Sequence, residues 1–141
     1  MTDAKTPLYH IREPSTNSVT DATLQLVGQR GAVRFDYYRD GSPFRSAIRF
    51  TGVIASRTTN ERCCTPWHIA DSYDTLCEVR DSTWLAAVKS QMPDRYRREL
   101  AARHFIICLD SVGCFELLAE EFNEPTEETG SWEELRNSLV N

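Results

Sequence analysis

The chain is 141 residues long, 40% hydrophobic and 26% charged, with a net charge of −5, which suits one soluble domain with a single core. No apolar run approaches the ~20 residues of a membrane span, and the opening MTDAKTPLYHIREPSTNS lacks the apolar stretch of a secretory signal. A cytoplasmic protein with no membrane association is therefore expected.

Five cysteines are an odd number without the spacing of a secreted framework, so reduced thiols are expected. Cys108 and Cys114 flank one hairpin turn and could lie diagonally across it. Charge is unevenly spread: residues 1–103 carry fifteen Lys and Arg against twelve Asp and Glu, whereas residues 104–141 carry one Arg against nine acids. That acidic last third argues against nucleic acid and is compatible with a basic protein partner.

Residues 1–20 are rich in Ser, Thr and Pro, which predicts a flexible N-terminal arm, followed by one α+β domain over residues 21–141. Thr23–Val27 and Ala32–Tyr38 alternate apolar and polar residues around Gly28-Gln29-Arg30-Gly31, the pattern of a β-hairpin. Its buried face would hold Leu24, Leu26, Val33, Phe35 and Tyr37. The turn formers Arg39–Pro43 then lead into Ser46–Arg57, read as one long third strand. Ile48, Phe50 and Ile54 share a face of it, and Gly52 suggests a bulge or a close backbone approach.

Residues 58–72 show neither helical nor strand period and read as a loop. Tyr73–Arg80 is a short strand, and Asp81-Ser82 caps a helix over Thr83–Met92 with Trp84, Leu85, Val88 and Met92 on its apolar stripe. Arg95–Arg103 can add a turn or two of arginine-rich helix. His104–Leu109 and Cys114–Phe122 form a second hairpin around Asp110-Ser111-Val112-Gly113, with Phe105, Ile107, Phe115 and Leu117 in the core. Residues 123–130 read as an acidic linker, and Ser131-Trp132-Glu133-Glu134 as a capping box opening a short C-terminal helix. The expected fold is thus α+β, with a mainly antiparallel sheet of about six strands, curved or partly closed into a barrel, and one or two helices on one face.

Chemistry-bearing residues concentrate between Cys63 and Leu85. Cys63, Cys64 and His68, with Cys77, Cys108, Cys114 or His104, offer zinc-type ligands, but adjacent cysteines lack Cys-x-x-Cys spacing, so no metal and no cofactor is expected. Cys63 or Cys64 with His68 or His104 could supply a nucleophile and base, oriented by Asp71, Asp74 or Asp110, yet no local signature surrounds them. Trp67, His68, Asp71, Tyr73 and Asp74 alternate aromatic and polar groups as a recognition loop does. Arg34, Arg45, Arg49, Arg57 and Arg62 could converge into an anion-binding patch, of which Arg49 and Arg57 are the candidate members. Phosphate-cradling, His-Glu-x-x-His and calcium-loop motifs are absent.

The segments DSVGCFELLAEEF and WHIADSYDTLCEV resemble in style those of small bacterial domains, some of them immunity proteins of toxin systems. No motif matches a named family residue by residue. The leading expectation is a non-enzymatic, immunity- or adaptor-like domain that binds another protein through its acidic last third. The alternative is a small-molecule-binding or hydrolytic domain whose pocket lies between the sheet and the Cys63–Asp74 loop, with His68 or His104 and an acid converging in it.

Overall fold

Antiparallel pairing dominates the chain, as its alternating patterns predict, but it is divided between two sheets that do not close. The structure is a computed structural model that describes residues 2–12, 15 and 21–129. Its strands are β1 (Ala4–His10), β2 (Asp21–Val27), β3 (Arg30–Arg39), β4 (Ser42–Thr51), β5 (Ala55–Asn60), β6 (Thr75–Arg80), β7 (Arg103–Leu109), β8 (Gly113–Ala119) and β9 (Glu121–Thr129). The helices are α1 (Pro66–Ile69), α2 (Thr83–Ser90) and α3 (Asp94–Glu99), with one 3-10 turn at Glu61–Cys63. One sheet runs β1-β6-β7-β8-β5 and the other β2-β3-β4-β9. Among the described residues no helix is long and apolar enough to cross a membrane.

The segment read as one strand, Ser46–Arg57, is two strands in different sheets. Gly52 takes a φ of +65°, and a Cβ there would sit 2.6 Å from the Glu120 side chain. The chain turns a corner at this point, leaving Ile54 39% exposed rather than in the core. The expected Cys114–Phe122 strand breaks in the same way beside it, at Glu120, whose N–H donates to the Thr51 carbonyl at 3.0 Å. These adjacent crossings, β4 to β5 and β8 to β9, carry the chain between the sheets.

Between the sheets lie Val33, Phe35, Tyr37, Ile48 and Phe50 from one side and Leu76, Phe105, Ile107, Phe115 and Leu117 from the other. The four core residues expected from the second hairpin are all buried. Leu26 is an exception in the first hairpin, 48% exposed, because β2 is the outer strand of its sheet and its end lacks a covering neighbour.

Three further segments differ from the sequence reading. Residues 4–10, placed in a flexible arm, form β1 along β6, with Pro7 at a register shift, where an edge strand tolerates a residue without an N–H. Leu8 and Tyr9 pack on the core and Ile11 is 2% exposed, so these few apolar side chains suffice to order the segment. The loop read over residues 58–72 contains the end of β5, the 3-10 turn and α1. The acidic linker is strand β9, paired along β4 from Phe44↔Thr129 to Thr51↔Glu121. The predicted C-terminal helix lies outside the described residues.

Alternation along β7 and β8 sends Phe105, Ile107, Phe115 and Leu117 inward and leaves His104, Ile106, Cys108, Cys114 and Glu116 on the opposite face. This outer face of the five-stranded sheet is covered by α1 and α2: Trp67 packs on Cys77, Val79 and Ile106, and Trp84 meets the His104 ring edge-on at 5.1 Å. The apolar stripe of α2 is only half-buried, so Trp84 covers the sheet rather than filling the main core. Cys108 and Cys114 face each other directly across the hairpin and form a disulfide with Cα atoms 4.1 Å apart. The expectation of reduced thiols is corrected for this pair and holds for Cys63, Cys64 and Cys77, which are free: register, not spacing alone, juxtaposes the two bonded sulfurs.

Candidate functional site

The outer face of the five-stranded sheet collects the polar chemistry of the molecule around Glu116, which is wholly buried at the middle of β8. A buried carboxylate requires charge compensation, and Arg57 on neighbouring β5 supplies it with two parallel bonds, Nε to Oε2 and Nη2 to Oε1, both 2.9 Å. His104 on β7 contacts Oε1 at 2.9 Å. Burial pushes the Glu116 pKa up, but the hydrogen bonds from His104 and Arg57 and the guanidinium charge prevail and hold it at about 2.

An ionised Glu116 accepts only, so His104 Nε2 carries the proton that faces it. Ser82 Oγ lies within hydrogen-bond distance of Nδ1, at 2.7 Å, and accepts the Leu85 N–H at 3.0 Å as the cap of α2. A continuous series, α2 cap to Ser82 to His104 to Glu116 to Arg57, therefore ties the helix to three strands. Its order matches a nucleophile, base and acid relay, but two features oppose that use. Arg57 already neutralises the carboxylate that would stabilise an imidazolium, and the serine oxygen is engaged at the helix end. The series is a positioning device whose output is a fixed Arg57.

The Arg57 guanidinium lies 4.1 Å from the Trp84 ring centroid, and its side chain is 44% exposed. Nη1 has no hydrogen-bond partner among the described residues. Arg57 lines a cleft of about 400 Å3 together with Thr2, Asp3, Trp67, Thr83, Trp84 and His104. Trp67 and Trp84 flank His104, their ring centroids 6.5 and 5.1 Å from its own. Asp3 is engaged elsewhere, accepting from the Thr83 N–H at 2.8 Å and from the Thr83 hydroxyl.

Lys5 on β1 holds the far wall. Its ammonium reaches the carbonyls of Trp67, His68 (3.2 Å) and Ala70 (2.6 Å) and the Ser72 hydroxyl (3.0 Å), and it lies 4.5 Å from the Trp67 centroid. Burial lowers its pKa, partly opposed by Cys77, Asp71 and Glu116. The indole N–H of Trp67 donates to the Asp3 carbonyl at 3.1 Å. In α1, Thr65 and His68 form a capping box: the Thr65 N–H donates to His68 Nδ1 at 2.9 Å, leaving Nε2 3.9 Å from Glu116 Oε2.

Of the recognition-loop residues, Trp67 and His68 thus reach this site and the other three do not. Asp74 is buried and accepts from the Ser15 N–H at 3.0 Å and from its hydroxyl. Tyr73 is 37% exposed at the opposite end of the loop, its pKa raised by burial. Asp71 is exposed with a φ of 65°, and its carbonyl accepts from the Cys77 thiol at 3.1 Å.

Nor do the arginines converge. Arg45 is paired with Asp36 at 2.6 and 3.0 Å in the four-stranded sheet, Arg49 donates to Thr126 there, and Arg57 lies on the other sheet. Among the described residues no group of three or more His, Cys, Asp or Glu could hold a metal ion. Sequence reasoning missed Glu116 and Ser82 as site residues. The one available signal was a lone acid inside the apolar run CFELL, since a charge in a buried strand demands a partner. Comparison with family models, curated proteins and solved structures finds no match for this chain, so its chemistry has to be read from its own residues.

Proposed function

We propose that this chain is a small-molecule-binding domain whose ligand, a planar body carrying a carboxylate or similar acceptor, occupies the cleft between Trp67 and Trp84. The observation that carries the reading is Arg57: one edge of its guanidinium is locked by buried Glu116, one face lies over the Trp84 ring, and the residue lines the cleft. An arginine fixed in this way loses little entropy on binding an anion, and two indoles beside it suit a flat apolar body. Titration of intrinsic tryptophan fluorescence with a series of aromatic monocarboxylates tests it. Saturable quenching is expected with a Kd on the order of 1 mM or below, weakened by Arg57→Lys and by Trp84→Ala. No saturation by any member of the series overturns the reading.

A second reading, docking of a basic protein partner on the acidic last third, is supported by Glu120, Glu121 and Glu124, exposed at or beside β9, an outer strand of its sheet. It draws on less charge than the sequence suggests, because Glu116 is paired with Arg57 and Glu127 with Arg39. A partner recovered at low salt and released at high salt supports it; recovery of none at low salt removes it.

A further inference from the structure

Three cysteines from three separate segments meet at one end of the same outer face. Cys108 and Cys114, 3% and 1% exposed, are bonded across the β7–β8 hairpin. Cys64 follows the 3-10 turn at the start of the covering loop, and its thiol lies 3.6 Å from Cys114 Sγ. This is contact distance for two sulfurs, so a free thiol stands against one sulfur of an existing disulfide. Among the described residues the Cys64 thiol is otherwise held only by weak contacts to the Thr59 and Asn60 carbonyls at 3.6 and 3.5 Å. Cys77 is kept out of the group by its bond to the Asp71 carbonyl.

We propose that these cysteines form a thiol–disulfide relay that carries the oxidising equivalent of the buried Cys108–Cys114 bond to the partly exposed Cys64. Attack of the Cys64 thiolate on Cys114 Sγ forms the Cys64–Cys114 bond and breaks Cys108–Cys114, with the electron pair leaving on Cys108. The proton lost by Cys64 is balanced by the one Cys108 takes up, so no external oxidant or reductant is consumed. The leaving sulfur has a prepared place. Cys108 Sγ lies 2.9 Å from the His68 carbonyl, which can accept from the new thiol, and 3.8 Å from the Ser72 hydroxyl, itself bonded to the Lys5 ammonium. An external thiol, a small molecule or a partner's cysteine, could then collect the equivalent at Cys64. Attack on the Cys108–Cys114 bond itself would have to pass the covering loop. The relay is independent of the proposed ligand cleft.

Disulfide mapping under acid quench tests this in a Cys63→Ser background digested on the N-terminal side of aspartate, where Cys64, Cys77, Cys108 and Cys114 fall on four separate peptides. The oxidised protein is expected to show both the Cys108–Cys114 and the Cys64–Cys114 linkages, and Cys108→Ser treated with oxidised glutathione to close Cys64–Cys114. Confinement to the Cys108–Cys114 linkage overturns the relay without any substitution in the relay cysteines. So does a folded Cys108→Ser protein in which Cys114 stays free or carries glutathione while Cys64 is unlinked.

Discussion

Replacing Glu116 by Gln keeps the shape of the side chain and removes its charge, which isolates the electrostatic part of the buried network. Removing one partner of a fully buried ion pair costs roughly 3–5 kcal/mol, but the Arg57 side chain is 44% exposed and regains water. His104, 1% exposed, keeps an acceptor only if the amide oxygen turns toward it. We expect a loss of about 2–3 kcal/mol near neutral pH. The pH dependence is the sharper test. Glu116 is held at about 2 against an ordinary 4.5, so its contribution is complete above pH 4.5 and is lost as pH falls towards 2. Urea unfolding of wild type and Glu116→Gln at pH 7, 5 and 3 should therefore show the gap between them narrowing below pH 4.5. A gap that stays constant down to pH 3 would refute an ionised, ion-paired Glu116.

Two other substitutions probe the architecture of the site. Trp84→Ala should cost about 1–2 kcal/mol because its helix is only half-buried, whereas Phe105→Ala, between the sheets and fully buried, should cost roughly 3–5 kcal/mol; equal losses in denaturant melts would place Trp84 in the main core. Lys5→Met removes the ammonium from three loop carbonyls and should raise amide hydrogen exchange across residues 66–72 far more than it lowers global stability, while unchanged exchange there would show that the loop is held by other contacts.

The cysteines show how the two levels of information differ. Local turn chemistry at Asp110–Gly113 predicts the hairpin, and hence that Cys108 and Cys114 are close. The approach of Cys64 to Cys114, fifty residues away in the chain, has no local signature at all. Similarly, Ser82 is readable as a helix cap from its position before Thr83, but the same hydroxyl's bond to His104 depends on where β7 lies beneath α2.

What the sequence by itself determined is therefore local: the antiparallel α+β character, the two hairpins, the inward residues Phe105, Ile107, Phe115 and Leu117, and the start of α2. Each rests on alternation, turn residues or a cap that acts over a few neighbours. Tertiary structure alone decided that Gly52 and Glu120 are corners rather than positions within continuous strands. It also made residues 4–10 and 121–129 into strands, since a segment with few apolar side chains pairs only when a partner edge offers backbone groups to satisfy its own. The candidate site belongs to that second class. Arg57, Ser82, His104 and Glu116 lie on four different elements: the pairing of β5, β8 and β7 brings Arg57 and His104 to the buried carboxylate, and the packing of α2 on the outer face sets Ser82 against His104.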